Sequence, residues 1–230
     1  MERLLLIETS TALCSTALAE DGRIVCRRES DTPRAHASMT AVFVQEMLQE
    51  RGLRVQDCDA VCVGMGPGSY TGLRVGVSTA KGLCFGAQLP LVAVGTLDTL
   101  AAQARDEGLV PEGCVRIVPL VDARRMEVYT AVYSPAGERL TEVEARIIDA
   151  ESFAAERALG PVLFVGDGAA KCEDVLGGPG VHFAQCFPKA AGMLRPALDR
   201  FHEKRFEDVA YFEPFYLKQF MTTTSRKRLF

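Results

Sequence analysis

Leu4-Leu5-Leu6-Ile7-Glu8-Thr9-Ser10-Thr11 is the stretch that decides the fold. Its first half is a continuous apolar run, the pattern of a strand buried on both faces. The run stops at an acidic residue followed by three hydroxyl side chains. Residues 14–19 make a second strand, Glu20-Asp21-Gly22 supplies an Asp-Gly hairpin turn, and residues 24–28 continue as a third strand. Residues 38–48 carry Met39, Val42, Phe43, Met47 and Leu48 at helical spacing. Val61 and Val63 belong to a strand ending at Gly64-Met65-Gly66-Pro67-Gly68. Ser69 is a fitting N-cap for the helix that follows, which reaches about residue 86. A strand at 91–94 and a helix at 97–104 close this half.

The same order then begins again. Residues 105–113 are polar, contain Pro111 and Gly113, and read as a linker. Residues 115–121 are apolar and end at Asp122. A strand at 128–133, a turn at Pro135-Ala136-Gly137, a strand at 140–148 and a helix at 152–159 follow. A strand at 162–165 stops at Gly166-Asp167-Gly168. A short helix, a looser glycine-bearing region and a long helix over 190–206, despite Pro196, complete the chain. Fourteen positions separate Glu8 from Gly22 and fifteen separate Asp122 from Gly137. Self-similarity on this scale signals duplication. The predicted fold class is α/β, a duplicated two-lobe actin-like architecture of the ribonuclease H-like kind shared with sugar kinases. The lobes are 1–104 and 105–230, with the last helix and tail able to pack back on the first lobe.

Composition narrows the function classes. The chain has 230 residues, 48% hydrophobic and 24% charged, enough apolar material for a sizeable core. A net charge of −4 exerts no global pull on nucleic acid or anionic membrane. The eight cysteines form no C-x-x-C pair and most sit inside apolar runs, which predicts buried reduced thiols in a reducing compartment. The apolar run at the N-terminus is too short for a signal peptide. No stretch approaches the ~18 apolar residues of a membrane span, so a cytoplasmic, membrane-free protein is expected.

In a two-lobed fold of this kind, polar groups at strand ends face the cleft. The candidates are Glu8, Thr9, Ser10 and Thr11 from the first lobe, and Asp122, Gly166, Asp167 and Gly168 from the second. They read as a nucleotide site whose carboxylates hold Mg²⁺ through water, or equally as turn residues capping strands. The glycine-rich loop before Ser69 suits phosphate binding through backbone N–H groups. It is neither a P-loop nor a nucleophile elbow, since it lacks the Gly-Lys-Ser/Thr ending and the G-x-S-x-G spacing.

The helix after that loop carries Gly72, Gly76 and Ala80 in one row, and Ser78, Gly82 and Gly86 in another. Each interior glycine costs about 0.5–1 kcal/mol against alanine, so something must offset it. Close approach of another helix would do so. A partner interface is therefore expected at Met39, Phe43, Met47, Tyr70, Gly72, Leu73, Gly76 and Ala80. The alternative is burial of both helices inside the first lobe. Four residues after His36 stands Thr40, so no helical metal pair is present and no metal ligands or catalytic residues are assigned. The basic run Ser225-Arg226-Lys227-Arg228 reads as a solvated tail or a contact for RNA phosphate.

Across Ile7-Glu8-Thr9-Ser10, and above all Gly66-Pro67-Gly68-Ser69-Tyr70-Thr71-Gly72-Leu73-Arg74-Val75-Gly76, the sequence resembles the TsaB (YeaZ) family. Tyr216-Leu217 after Pro214 also fits. The resemblance implies the actin-like fold and a role in making threonylcarbamoyladenosine in tRNA, beside the anticodon. It implies a non-catalytic scaffold or activator that dimerises with a TsaD-type transferase, the subunit carrying the metal on a helical histidine pair. A TsaE-type ATPase joins the assembly, tRNA is met only through the complex, and the chain alone forms a homodimer. No cofactor of its own is implied, and ATP or ADP with Mg²⁺ at a site shared in the complex stays open. The competing readings are a nucleotide-dependent phosphotransferase of the sugar-kinase type and an M22-type glycoprotease-like peptidase.

Overall fold

The structure, a computed structural model, describes residues 1–33 and 35–218. The first lobe begins with β1 (Arg3–Glu8), β2 (Cys14–Glu20) and β3 (Arg23–Ser30). Asp21 and Gly22 both take positive φ, and the register sets Glu20 opposite Arg23. This is the two-residue turn that Asp-Gly favours, because its twist matches that of the strands. Helix α1 (His36–Glu50) leads to β4 (Ala60–Gly66), α2 (Tyr70–Ala87) and β5 (Leu91–Gly95). The sheet order is β3-β2-β1-β4-β5, with β2 antiparallel to its neighbours and β4 and β5 parallel to β1.

Helix α3 (Thr96–Asp106) connects to the second sheet, which repeats the plan. Its strands are β6 (Arg116–Asp122), β7 (Glu127–Thr130), β8 (Glu144–Ile147), β9 (Val162–Val165) and β10 (Val181–Ala184). The order is β10-β9-β6-β7-β8, again with the second strand of the lobe antiparallel and the later ones parallel to the first. Helices α4 (Ala154–Ala158), α5 (Ala169–Leu176) and α6 (Leu194–His202) complete the elements. The duplicated, ribonuclease H-like topology expected from the repeat is present in both lobes.

The central strands are apolar through their middles because each sheet is covered on both faces. On β1, Leu5 and Ile7 join Val61, Val63 and the inner sides of α1 and α2, while Leu4 and Leu6 join Cys62, Val92 and Val94. That second face is covered by Ala190, Met193 and Ala197, from a 3-10 turn and α6. Helix α3 places Leu97, Leu100, Ala101 and Ala104 on the second sheet, against Ile117, Val121, Leu163 and Val165. A helix from the N-terminal half thus covers the second sheet, and a helix from the C-terminal half covers the first.

Several element lengths differ from expectation. β10 is present where the sequence reads as a loose glycine-bearing region. The strands expected at 128–133 and 140–148 shorten to β7 and β8, because Tyr133 makes only isolated bridges, to Ile117 and Arg139. The long helix expected over 190–206 is a 3-10 turn (Ala190–Met193) followed by the nine residues of α6. Pro196 sits in the first turn of α6, where its missing N–H would have no intrahelical acceptor. Lys204, at φ 56°, closes the end. All eight cysteines are free, seven of them buried and Cys186 half-buried. Among the described residues no helix is long and apolar enough to cross a membrane. The basic run at 225–228 lies outside the described residues.

Candidate functional site

Glu8 ends β1, and the chain turns at once beneath α2. Glu8, Thr9 and Ser10 are fully buried and Thr11 nearly so. The Ser10 N–H donates to Glu8 Oε1 at 2.7 Å. Glu8 Oε2 is buried with no hydrogen-bond partner among the described residues. Burial pushes the carboxyl up to about 7 from its ordinary 4.5, because the charged form loses its water. The hydrogen bonds from Ser10 and Thr9 pull the other way and do not offset this. Water-mediated Mg²⁺ requires a carboxylate open to solvent. Glu8 does not fit that role.

The glycine-rich segment is shaped around this loop. A Cβ on Gly64 would overlap the Glu8 carboxylate, and one on Gly68 would overlap the Ser10 carbonyl. On α2, a Cβ on Gly72 would strike the Thr9 carbonyl and one on Gly76 the Thr9 hydroxyl. Thr9 Oγ1 donates to Gly72 O at 2.8 Å, and the Ser69 N–H donates to Ser10 O at 2.6 Å. Ser69 is the N-cap, its hydroxyl accepting from the Gly72 N–H at 3.3 Å. The start of α2 is therefore occupied by the chain's own loop.

This corrects the expected partner interface. Phe43, Met47, Gly72, Leu73, Gly76 and Ala80 are all buried within the first lobe. Met39 and Tyr70 are half-buried. The row Gly72-Gly76 admits Thr9 of the same lobe, not a neighbouring chain. The second row has the opposite character: Ser78, Gly82 and Gly86 are exposed, and a Cβ on Gly82 or Gly86 would meet nothing within 4 Å. Phe85 stands beside that row with 83% of its surface exposed. Both rows have four-residue spacing, and only the position of the sheet decides which one is covered.

In the second lobe, Asp122, Gly166, Asp167 and Gly168 come together where β6 and β9 end side by side. The Asp122 N–H donates to Asp167 Oδ1 at 3.0 Å, and the Gly168 N–H donates to Leu120 O at 2.9 Å. Gly166, at φ 133°, lies too close to the Leu120 carbonyl for any side chain. Burial raises the Asp167 carboxyl to about 6. Asp122 Oδ1 accepts from the Arg124 N–H at 2.9 Å and pairs with the Lys171 ammonium. Lys171 also donates to the carbonyls of Arg125 and Glu127, at 2.8 and 2.7 Å. The Lys171 ammonium thus neutralises Asp122 from within the chain, while the Asp122 side chain stays 46% exposed. Sequence reasoning missed Lys171, which lies 49 positions from Asp122 and is brought to it only by where α5 packs.

His36 Nε2 donates to Thr11 O at 3.0 Å, and Thr40 Oγ1 donates to His36 O at 2.6 Å. Among the described residues no three His, Cys, Asp or Glu side chains cluster as metal ligands.

Comparison with known proteins places this architecture. The family model for TsaD, tRNA N6-adenosine threonylcarbamoyltransferase, matches residues 29–212. The tRNA threonylcarbamoyladenosine biosynthesis protein TsaB of Bacillus subtilis is 32% identical over 186 residues, 77% of this chain and 78% of the relative. The chain belongs to the TsaB family. TsaB of Escherichia coli is 40% identical over 131 residues, 57% of this chain. That match spans only about half of the relative's length, 54%. The solved structure of YeaZ from Pseudomonas aeruginosa superposes with a TM-score of 0.78 at 29% identity, covering 94% of this chain and all of the other. The TsaB architecture thus extends through both lobes.

Proposed function

We propose that this chain acts in tRNA threonylcarbamoyladenosine biosynthesis as a non-catalytic scaffold or activator of a TsaD-type transferase. Support for the pathway comes from the TsaB relatives, whose names give that role. Support for a non-catalytic part comes from one observation: both acidic loops are occupied from within. Glu8 is buried against Gly64, and Asp122 is paired to Lys171. Glu8, sealed from solvent, is not arranged like a carboxylate holding hydrated Mg²⁺ over a nucleotide's phosphates, and Asp122, though partly open to solvent, already carries Lys171. A nucleotide with Mg²⁺ belongs, on this reading, to a site completed by the partner. A TsaE-type ATPase joins the assembly, tRNA is engaged through the complex, and the protein works in the cytoplasm.

The surface assigned to the transferase, and to a second copy when the chain is alone, is the outer row Ser78-Gly82-Gly86 with Phe85. Val42 adds an exposed apolar position on the neighbouring α1. The test is co-purification with a TsaD-type protein, followed by tRNA modification with and without this chain. Modification is expected only with both. Gly82→Leu fills open space rather than the core, so the variant is expected to fold and to lose pairing. Retained pairing would overturn the surface assignment. Calorimetry with ATP and Mg²⁺ on the isolated chain is expected to give no low-micromolar binding. Tight binding with turnover would favour a phosphotransferase.

A further inference from the structure

Residues 206–218 leave α6 and run back across both lobes. The Glu207 N–H donates to Leu91 O at 2.9 Å, on the outer strand β5. Val209 and Phe212 pack on the apolar cluster beneath α1 and α2. Lys81 of α2 donates to the carbonyls of Ala210 and Phe212, at 3.2 and 3.0 Å. The chain then crosses the glycine-rich loop. The Phe215 N–H donates to Met65 O at 2.8 Å, and a Cβ on Gly66 would stand 2.9 Å from Phe215 O. The Tyr216 ring lies 4.8 Å from the Tyr70 ring at the start of α2. Two residues later, Lys218 pairs with Glu127 and stands over the Tyr129 ring at 5.7 Å. Glu127 and Tyr129 belong to β7, in the second lobe.

We propose that residues 213–218 are a strap that holds the second lobe against the glycine-rich loop of the first. This goes beyond the role proposed above and does not depend on it. Its anchors are unlike in kind. On the first lobe they are a backbone hydrogen bond and an aromatic contact; on the second they are an ion pair and a cation–π contact. Only Leu217 separates the Tyr216 and Lys218 anchors, so both sit on one short stretch of chain. On this proposal, lifting Tyr216 from Tyr70 also loosens Lys218 from β7. The strap thereby couples the start of α2 to the setting of the two lobes.

A charge swap in the full-length chain tests this. Lys218→Glu and Glu127→Lys are made singly and together, and hydrogen exchange is followed at the Phe215 amide and in residues 127–130. Each single variant is expected to exchange about two- to five-fold faster at Phe215, the range for loss of one exposed ion pair. The double variant is expected to restore the native rate. Tyr216→Ala leaves both charges in place and removes the aromatic anchor. It is expected to speed exchange at Phe215 and also in residues 127–130. Unchanged exchange in the single variants, failure of the swap to restore it, or a Tyr216→Ala effect confined to the first lobe would each overturn the proposal.

Discussion

Replacing Glu8 by glutamine gives a pH-resolved test of the buried loop. The carboxyl moves from its ordinary 4.5 to about 7 on folding because burial strips water from the charged form. At about 1.36 kcal/mol per pH unit, that corresponds to about 3 kcal/mol. The sign follows from proton binding. Below pH 4.5 both folded and unfolded states are protonated, and this group costs nothing. Between 4.5 and 7 the unfolded chain releases the proton while the folded chain keeps it, so stability falls as pH rises. Above 7 the loss is complete. Glutamine retains the acceptor for the Ser10 N–H and never ionises. Urea unfolding from pH 4.5 to 8.5 is expected to show the two proteins nearly equal at the acid end. At pH 8 the variant is expected to be more stable by up to about 3 kcal/mol. Asp167, raised to about 6, adds a slope of the same sign to both proteins, so the difference between them isolates Glu8. Equal pH slopes in the two proteins would refute the reasoning.

Three further outcomes are expected. Gly76→Ala places a methyl group on the Thr9 hydroxyl and is expected to cost about 1–3 kcal/mol, whereas Gly82→Ala meets open space and is expected to gain about 0.5–1 kcal/mol from helix propensity; chemical denaturation of the pair checks both signs. Lys171→Met leaves Asp122 Oδ1 and two loop carbonyls without their ammonium, and is expected to cost about 1–2 kcal/mol in thermal unfolding. Thiol labelling of the native chain at pH 8 is expected to be slow at all eight cysteines, including the half-buried Cys186, whose thiol burial has pushed up to about 11. Labelling of Cys62 in the folded chain at the rate of a free thiol would contradict its complete burial.

Local signals in the sequence were sufficient for much of this architecture. The buried strand before Glu8, the Asp21-Gly22 turn, the Ser69 cap and the repeated strand order each depend on neighbours a few positions away. They are legible for that reason. The inward row of α2 was not. Gly72-Gly76-Ala80 and Ser78-Gly82-Gly86 share the same spacing, and nothing in a one-dimensional pattern says that Thr9 lies under the first row. Nor does an acidic residue at a strand end reveal whether it faces solvent, as Asp122 does in part, or lies sealed against a glycine, as Glu8 does. Helices α3 and α6 each cover the sheet of the other half, and Lys218 reaches Glu127 across 91 positions. Turns, caps and strand periodicity are set by short stretches of backbone, whereas burial, charge neutralisation and the joining of lobes depend on residues that meet only after the chain has closed on itself.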